Sequence, residues 1–219
     1  MNKILITGYK HSGTTMLMQL LRNHPQVGWI EMEESYVEFD KPKKWVVMMA
    51  KKKVRNLKEK AWGEKIPWGD RNTDKNAKRV IAFTKKWLKM FRKEARVLHI
   101  IRHPIDVASS RRPDGNPGNK TLKQILQTVP MYIDYINNNP YCATVVYEDL
   151  VSNPRKHLHH IFNFCGLMST QKILDVVTNN PFGLEFGKIN ADRAYAFEKK
   201  GVESSVDYEK ILKGISIIL

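Results

Sequence analysis

Cysteine is almost missing from this chain. Among 219 residues there are two, Cys142 and Cys165, without the spacing of metal ligands. That excludes a disulfide framework and a cysteine-ligated zinc site. Also lacking is any apolar run near the roughly 20 residues of a membrane span. No signal-like segment precedes the first apolar run, so the sequence predicts a soluble, cytoplasmic protein. Acidic side chains are few beside basic ones: Asp and Glu number 22, Lys and Arg 37, a net charge of +15. Such an excess calls for an anionic partner: a nucleotide, a polyanion, nucleic acid or an acidic membrane surface. Internal repeats and low-complexity stretches are absent as well. With 42% hydrophobic and 10% aromatic residues the chain can bury a sizeable core, and residues 1–219 read as a single α/β domain.

What is present is organised around its first fifteen residues. Ile4-Leu5-Ile6 reads as a buried strand that Gly8 interrupts. Ser12-Gly13-Thr14-Thr15 then opens a segment with apolar residues at helical spacing, predicting a helix over 12–23 that stops before His24-Pro25. A strand, a glycine-bounded loop and a helix start form a phosphate cradle, because loop N–H groups and the positive end of the helix dipole both favour an anion. The spacing Gly8…Gly13-Thr14-Thr15 nearly matches G-x-x-x-x-G-K-[ST]. Thr14 stands where that motif has its lysine. The loop can hold a phosphate-like group without the usual equipment for triphosphate hydrolysis.

The octet Gly8-Tyr9-Lys10-His11-Ser12-Gly13-Thr14-Thr15 resembles the 5′-phosphosulfate-binding loop of sulfotransferases that use 3′-phosphoadenosine 5′-phosphosulfate (PAPS). In that family a lysine or arginine usually comes directly before Ser-Gly-Thr-Thr. Here His11 does, with Lys10 one place earlier, and both remain candidates for meeting the transferring group. Arg102-His103-Pro104-Ile105-Asp106, with Ser110 eight residues after the arginine, is similar to the family's 3′-phosphate segment. A guanidinium grips phosphate through two N–H bonds and a hydroxyl adds a third donor, with Asp106 capping or orienting the turn. Glu64-Lys65-Ile66-Pro67 resembles the family's Glu-Lys-Thr-Pro segment, whose lysine lies in the active site; by composition alone it reads equally as a turn with an exposed lysine. Tyr147-Glu148-Asp149-Leu150, then Asn153-Pro154 and Gly166-Leu167, look like the family's strand end, Pro-started helix and close, and read as scaffold.

The resemblance covers about residues 1–170. It implies a P-loop NTPase-like three-layer α/β sandwich, a mostly parallel sheet flanked by helices, with ligand at the carboxyl ends of the strands. It implies PAPS as co-substrate, bound by Lys10, His11, Ser12, Gly13, Thr14, Thr15, Arg102 and Ser110, and a hydroxyl or amine acceptor. Ser12 and Arg102 are expected on one side of the molecule, facing each other across one bisphosphorylated adenosine. Lys10, His11 or Lys65 would neutralise the leaving oxygen, so no metal is expected. Val27 to Ile30 reads as a second strand leading to Glu31, Glu33, Glu34 and Glu38; Glu31 or Glu33 would be the catalytic base, with His11 as the alternative.

Elsewhere, helical spacing covers 73–94 and 121–137, and apolar runs predict strands over 95–101 and 143–147. Residues 35–60 and 111–120 would choose the acceptor, and Lys188 and Arg193 sit in a loop that either closes over the nucleotide or is plain surface. Two rivals remain. A nucleotide-dependent kinase is disfavoured by Thr14. A non-catalytic binder of polyanions or nucleic acid is supported by the charge, although the aromatics do not form a base-stacking platform.

Overall fold

The computed structural model describes residues 2–31, 60–68, 73–109, 119–137 and 139–179, together with Glu209 and Lys213. Strand β1 (Asn2–Tyr9) leads through a tight loop into helix α1 (Thr14–Arg22) and strand β2 (Val27–Glu31). Strand β3 (Ala61–Trp68), helix α2 (Thr73–Phe91), a 3₁₀ turn at Arg92–Glu94 and strand β4 (Ala95–Ile101) follow. Next come helices α3 (Pro104–Ser109) and α4 (Asn119–Ile136) and strand β5 (Cys142–Val146). Helices α5 (Tyr147–Ser152), α6 (Pro154–Phe164) and α7 (Gln171–Asn179) complete the described chain.

The five strands form one sheet in the order β2-β3-β1-β4-β5, and every neighbouring pair is parallel. Parallel strands are covered on both faces, which is why β1, β4 and β5 read as continuous apolar runs. The pleat sends alternate residues to opposite sides. Ile4, Ile6, Leu98, Ile100, Ala143 and Val145 pack with α1, α6 and α7. Leu5, Trp62, Trp68, Val97, Ile101 and Val146 pack with α2 and α4 on the other face. In α2 the buried Ala77, Val80, Thr84 and Trp87 recur at helical spacing, while Lys78, Arg79, Lys85, Lys86 and Lys89 face water.

Four elements differ from what the sequence predicts. Gly8 does not interrupt β1, which runs on to Tyr9 because Gly8 is paired on both sides, with Pro67 of β3 and Ile100 of β4. Helix α1 begins at Thr14, not Ser12, because Gly13 takes a left-handed conformation (φ 100°) that keeps residues 10–13 as a loop. The punctuated Trp62–Trp68 stretch is not a turn: it is a full strand, buried between β1 and β2. Tyr147 does not extend β5; it starts α5, and Leu150 is buried from that helix.

The connection through α1 carries the chain from β1 toward the β2 edge. The connection through α2 carries it from β3 across β1 to β4 on the opposite face. The carboxyl end of β1 is therefore a topological switch point, the place where α/β sheets bind ligands.

Candidate functional site

The loop after β1 is shaped by backbone conformation. Lys10 N–H donates to the Trp68 carbonyl at 2.7 Å and Ser12 N–H to the Tyr9 carbonyl at 3.0 Å, which curls the chain back toward the sheet. His11 is left-handed (φ 70°) and exposed. Gly13, the N-cap of α1, provides no side-chain cap, so the first-turn N–H groups have no capping partner from that residue. A Cβ on Gly8 would lie 2.6 Å from both the Ile100 carbonyl oxygen and Ser12 Oγ. Only glycine lets the loop fold this close to β4. Ser12 is 1% exposed, and its Oγ has no hydrogen-bond partner among the described residues. A buried hydroxyl left over in such a loop fits a bound oxyanion.

Strand β3 supplies a cation. Lys65 is 1% exposed and its Nζ donates to Thr15 Oγ1 at 3.0 Å. Lys65 lies level with Ile6 in the parallel pairing of β3 with β1, on the α1 face, so its side chain runs up beside the helix start. The positive charge missing at position 14 thus arrives from the neighbouring strand.

Arg102 follows β4. Because β4 pairs directly with β1, with Gly8 opposite Ile100, the residues leaving these two strands emerge side by side. Ser12 and Arg102 line one cavity with Tyr9, Ile100 and Pro104, and Arg102 Nη1 donates to the His11 carbonyl at 3.5 Å. The two segments therefore lie on one side of the molecule and meet there. Asp106 Oδ2 sits 3.8 Å from Arg102 Nε, and the guanidinium lies 4.4 Å from the centre of the Tyr147 ring. Glu148 Oε1 accepts from His103 N–H at 2.8 Å.

Among the other sequence candidates, Glu31 is the last residue of β2, opposite Glu64 and one register position short of Lys65. Glu33 and Ser110 lie outside the described residues, as do Glu34, Glu38, Lys188, Arg193 and the stretches 35–59 and 110–118.

Beneath the loop, on the α2 and α4 face, sequence reasoning misses a buried polar chain. His99 Nδ1 and Thr7 Oγ1 are 3.0 Å apart, Thr7 Oγ1 donates to Tyr132 Oη at 3.1 Å, and Tyr132 Oη meets Thr84 Oγ1 at 2.9 Å. Complete burial pulls the His99 pKa down to about 3 and pushes the Tyr132 hydroxyl above its ordinary range. Its signal in the sequence is polar residues among apolar ones, Thr7 and His99 in strands and Thr84 and Tyr132 in helices. No described helix is long and apolar enough to cross a membrane.

A parallel sheet, a glycine-bounded loop at its switch point and a buried lysine reaching the helix start from β3 define a P-loop-like α/β fold. The sulfotransferase domain model matches residues 1–113, just over half of the 219 residues, and the chain belongs to that family. No curated protein matches the sequence. Similar solved structures include the sulfotransferase domain of the Synechococcus PCC 7002 olefin synthase. It is 17% identical, with 97% of this chain and 94% of that one covered and a TM-score of 0.59. A sulfotransferase domain from the curacin biosynthetic pathway is 13% identical over 80% of this chain and 77% of its own, with a TM-score of 0.51. A sulfotransferase from Alicyclobacillus acidocaldarius is 14% identical over 77% and 82%, with a TM-score of 0.50. At such identities the likeness is one of fold.

Proposed function

We propose that this protein transfers a sulfuryl group from PAPS to a hydroxyl or amine acceptor, and that residues 1–219 act as a single domain. The observation that carries this reading is the buried Lys65 ammonium hydrogen-bonded to Thr15 at the start of α1, beside the loop that holds the unpartnered Ser12 hydroxyl. A cation and spare donors at a helix start suit the 5′-phosphosulfate. In this reading residues Lys10 to Thr15 bind that group and Arg102, with Ser110, binds the 3′-phosphate. The donor supplies the sulfuryl group: its S–O bond to phosphate breaks, a bond from sulfur to the acceptor atom forms, and 3′,5′-adenosine bisphosphate departs. Lys65, Lys10 or His11 offsets negative charge on the departing oxygen, and Glu31, Glu33 or His11 takes the acceptor's proton.

Thermal unfolding tests the reading, since a ligand specific for the folded state raises the melting temperature. The bisphosphate is expected to stabilise the protein. A rise with magnesium-ATP alone would point to a kinase, and a rise with an oligonucleotide alone to a nucleic-acid binder. Lys65→Met should retain the fold yet lower the rate of labelled sulfate transfer by about 100-fold, the usual loss for one charge-stabilising donor.

A further inference from the structure

We propose that Tyr147 and Glu148, which open α5, are positioning residues for Arg102: the ring fixes the guanidinium and the carboxylate fixes the backbone behind it. This rests on the assignment of Arg102 to the 3′-phosphate. An arginine at a strand end has a long, rotamer-rich side chain, and ordering it only when ligand arrives weakens binding. Here it is ordered beforehand. The guanidinium lies 4.4 Å from the Tyr147 ring centre, Asp106 Oδ2 is 3.8 Å from Nε, and Nη1 reaches the His11 carbonyl at 3.5 Å.

The chemistry of the ring contact matters. A guanidinium 4.4 Å from the centre of an aromatic ring is attracted to its face. The ring therefore restrains the group without a negative charge of its own to compete with phosphate. Glu148 acts one residue further on, where Oε1 accepts from His103 N–H at 2.8 Å and holds the chain as it leaves β4.

Tyr147 also touches the other half of the site. A Cβ built on Gly13 would fall 2.5 Å from Tyr147 Cδ2, so the ring lies flush against the phosphate loop. On its inner side it packs on the core under α1. One ring thus sets the spacing between the loop that holds one anion and the arginine that holds the other. Residues 147 and 148, which the sequence assigns to scaffold, form the third wall of the site.

The test compares dissociation constants for 3′,5′-adenosine bisphosphate and 5′-AMP, whose ratio isolates the 3′-phosphate. Wild type should prefer the bisphosphate. Tyr147→Phe keeps the ring and should keep the ratio, whereas Tyr147→Leu should lower it about tenfold. In an Arg102→Gln background Tyr147→Leu should leave the ratio unchanged. Should Tyr147→Leu unfold, Glu148→Ala, which frees the His103 amide and leaves the ring in place, is expected to lower the ratio too. An unchanged ratio in a folded Tyr147→Leu, or an equal fall in Tyr147→Phe, overturns the positioning role. A wild-type ratio near one would instead overturn the assignment of Arg102 itself, and the positioning role with it.

Discussion

Two glycines and two histidines show how single residues shape the loop and the stability of the fold. Gly13 sits at φ 100°, and a side chain there would also collide with the Tyr147 ring. Gly13→Ala combines backbone strain with a clash and should cost about 1–3 kcal/mol, read by urea denaturation, together with loss of stabilisation by the bisphosphate. A Cβ on Gly8 meets the Ile100 backbone oxygen at 2.6 Å, and backbone cannot swing aside as a side chain can. Gly8→Ala should therefore be the more damaging of the two. His99 behaves differently. It is neutral in the folded protein because burial lowers its pKa to about 3, while in the unfolded chain it titrates near its ordinary 6.5. Below that value the unfolded state binds a proton that the native state refuses. Stability should be full above about pH 6.5 and fall toward pH 3, by up to about 1.4 kcal/mol per pH unit. Urea titrations between neutral pH and about pH 5 check this, and His99→Phe should flatten the slope. His24, lowered in the same direction by burial, adds to the fall.

At the scale of elements, His24 joins the end of α1 to the corner between α6 and α7. Its Nδ1 accepts from Gln26 N–H at 3.1 Å, so Nε2 carries the proton and donates to the Met168 carbonyl at 2.8 Å. The ring also meets Phe162 edge-on, with centroids 4.6 Å apart. His24→Ala removes two hydrogen bonds and an aromatic contact in the interior and should cost about 2–3 kcal/mol in chemical denaturation. The Arg155–Asp175 ion pair between α6 and α7 is shorter, at 2.7 Å, but its side chains are 53% and 39% exposed. Exposed pairs contribute little, so Arg155→Ala should change stability by no more than about 1 kcal/mol. The buried histidine holds this corner more firmly than the surface ion pair does.

Across the whole molecule, a net charge of +15 works against compactness through self-repulsion. Added salt screens that repulsion, with a Debye length falling from about 30 Å at 0.01 M to about 8 Å at 0.15 M. The melting temperature should therefore rise over this range of sodium chloride. Sulfate, a ligand for the proposed anion loop, should raise it further at matched ionic strength. A melting temperature that falls with salt would mean that attractive surface pairs dominate instead.

Much of this was legible in the chain itself. The runs at Ile4–Ile6 and Ala95–Ile101 and the loop before α1 are local features, because strand pattern and turn chemistry depend on residues a few places apart. Local order alone thus determined that a glycine-bounded loop follows β1 and that an arginine follows β4. The tertiary structure decided what stands beside them. Trp62–Trp68 contains glycine, proline and two charges, poor material for a buried strand in isolation; it becomes one only between β1 and β2, where both faces are covered. That placement delivers Lys65 to Thr15, 50 residues away in sequence. The start of α5 brings Tyr147 against Arg102 and Gly13 in the same way. Which strand lies beside which follows from burying two sheet faces at once, a property of the whole chain that no short stretch of it encodes.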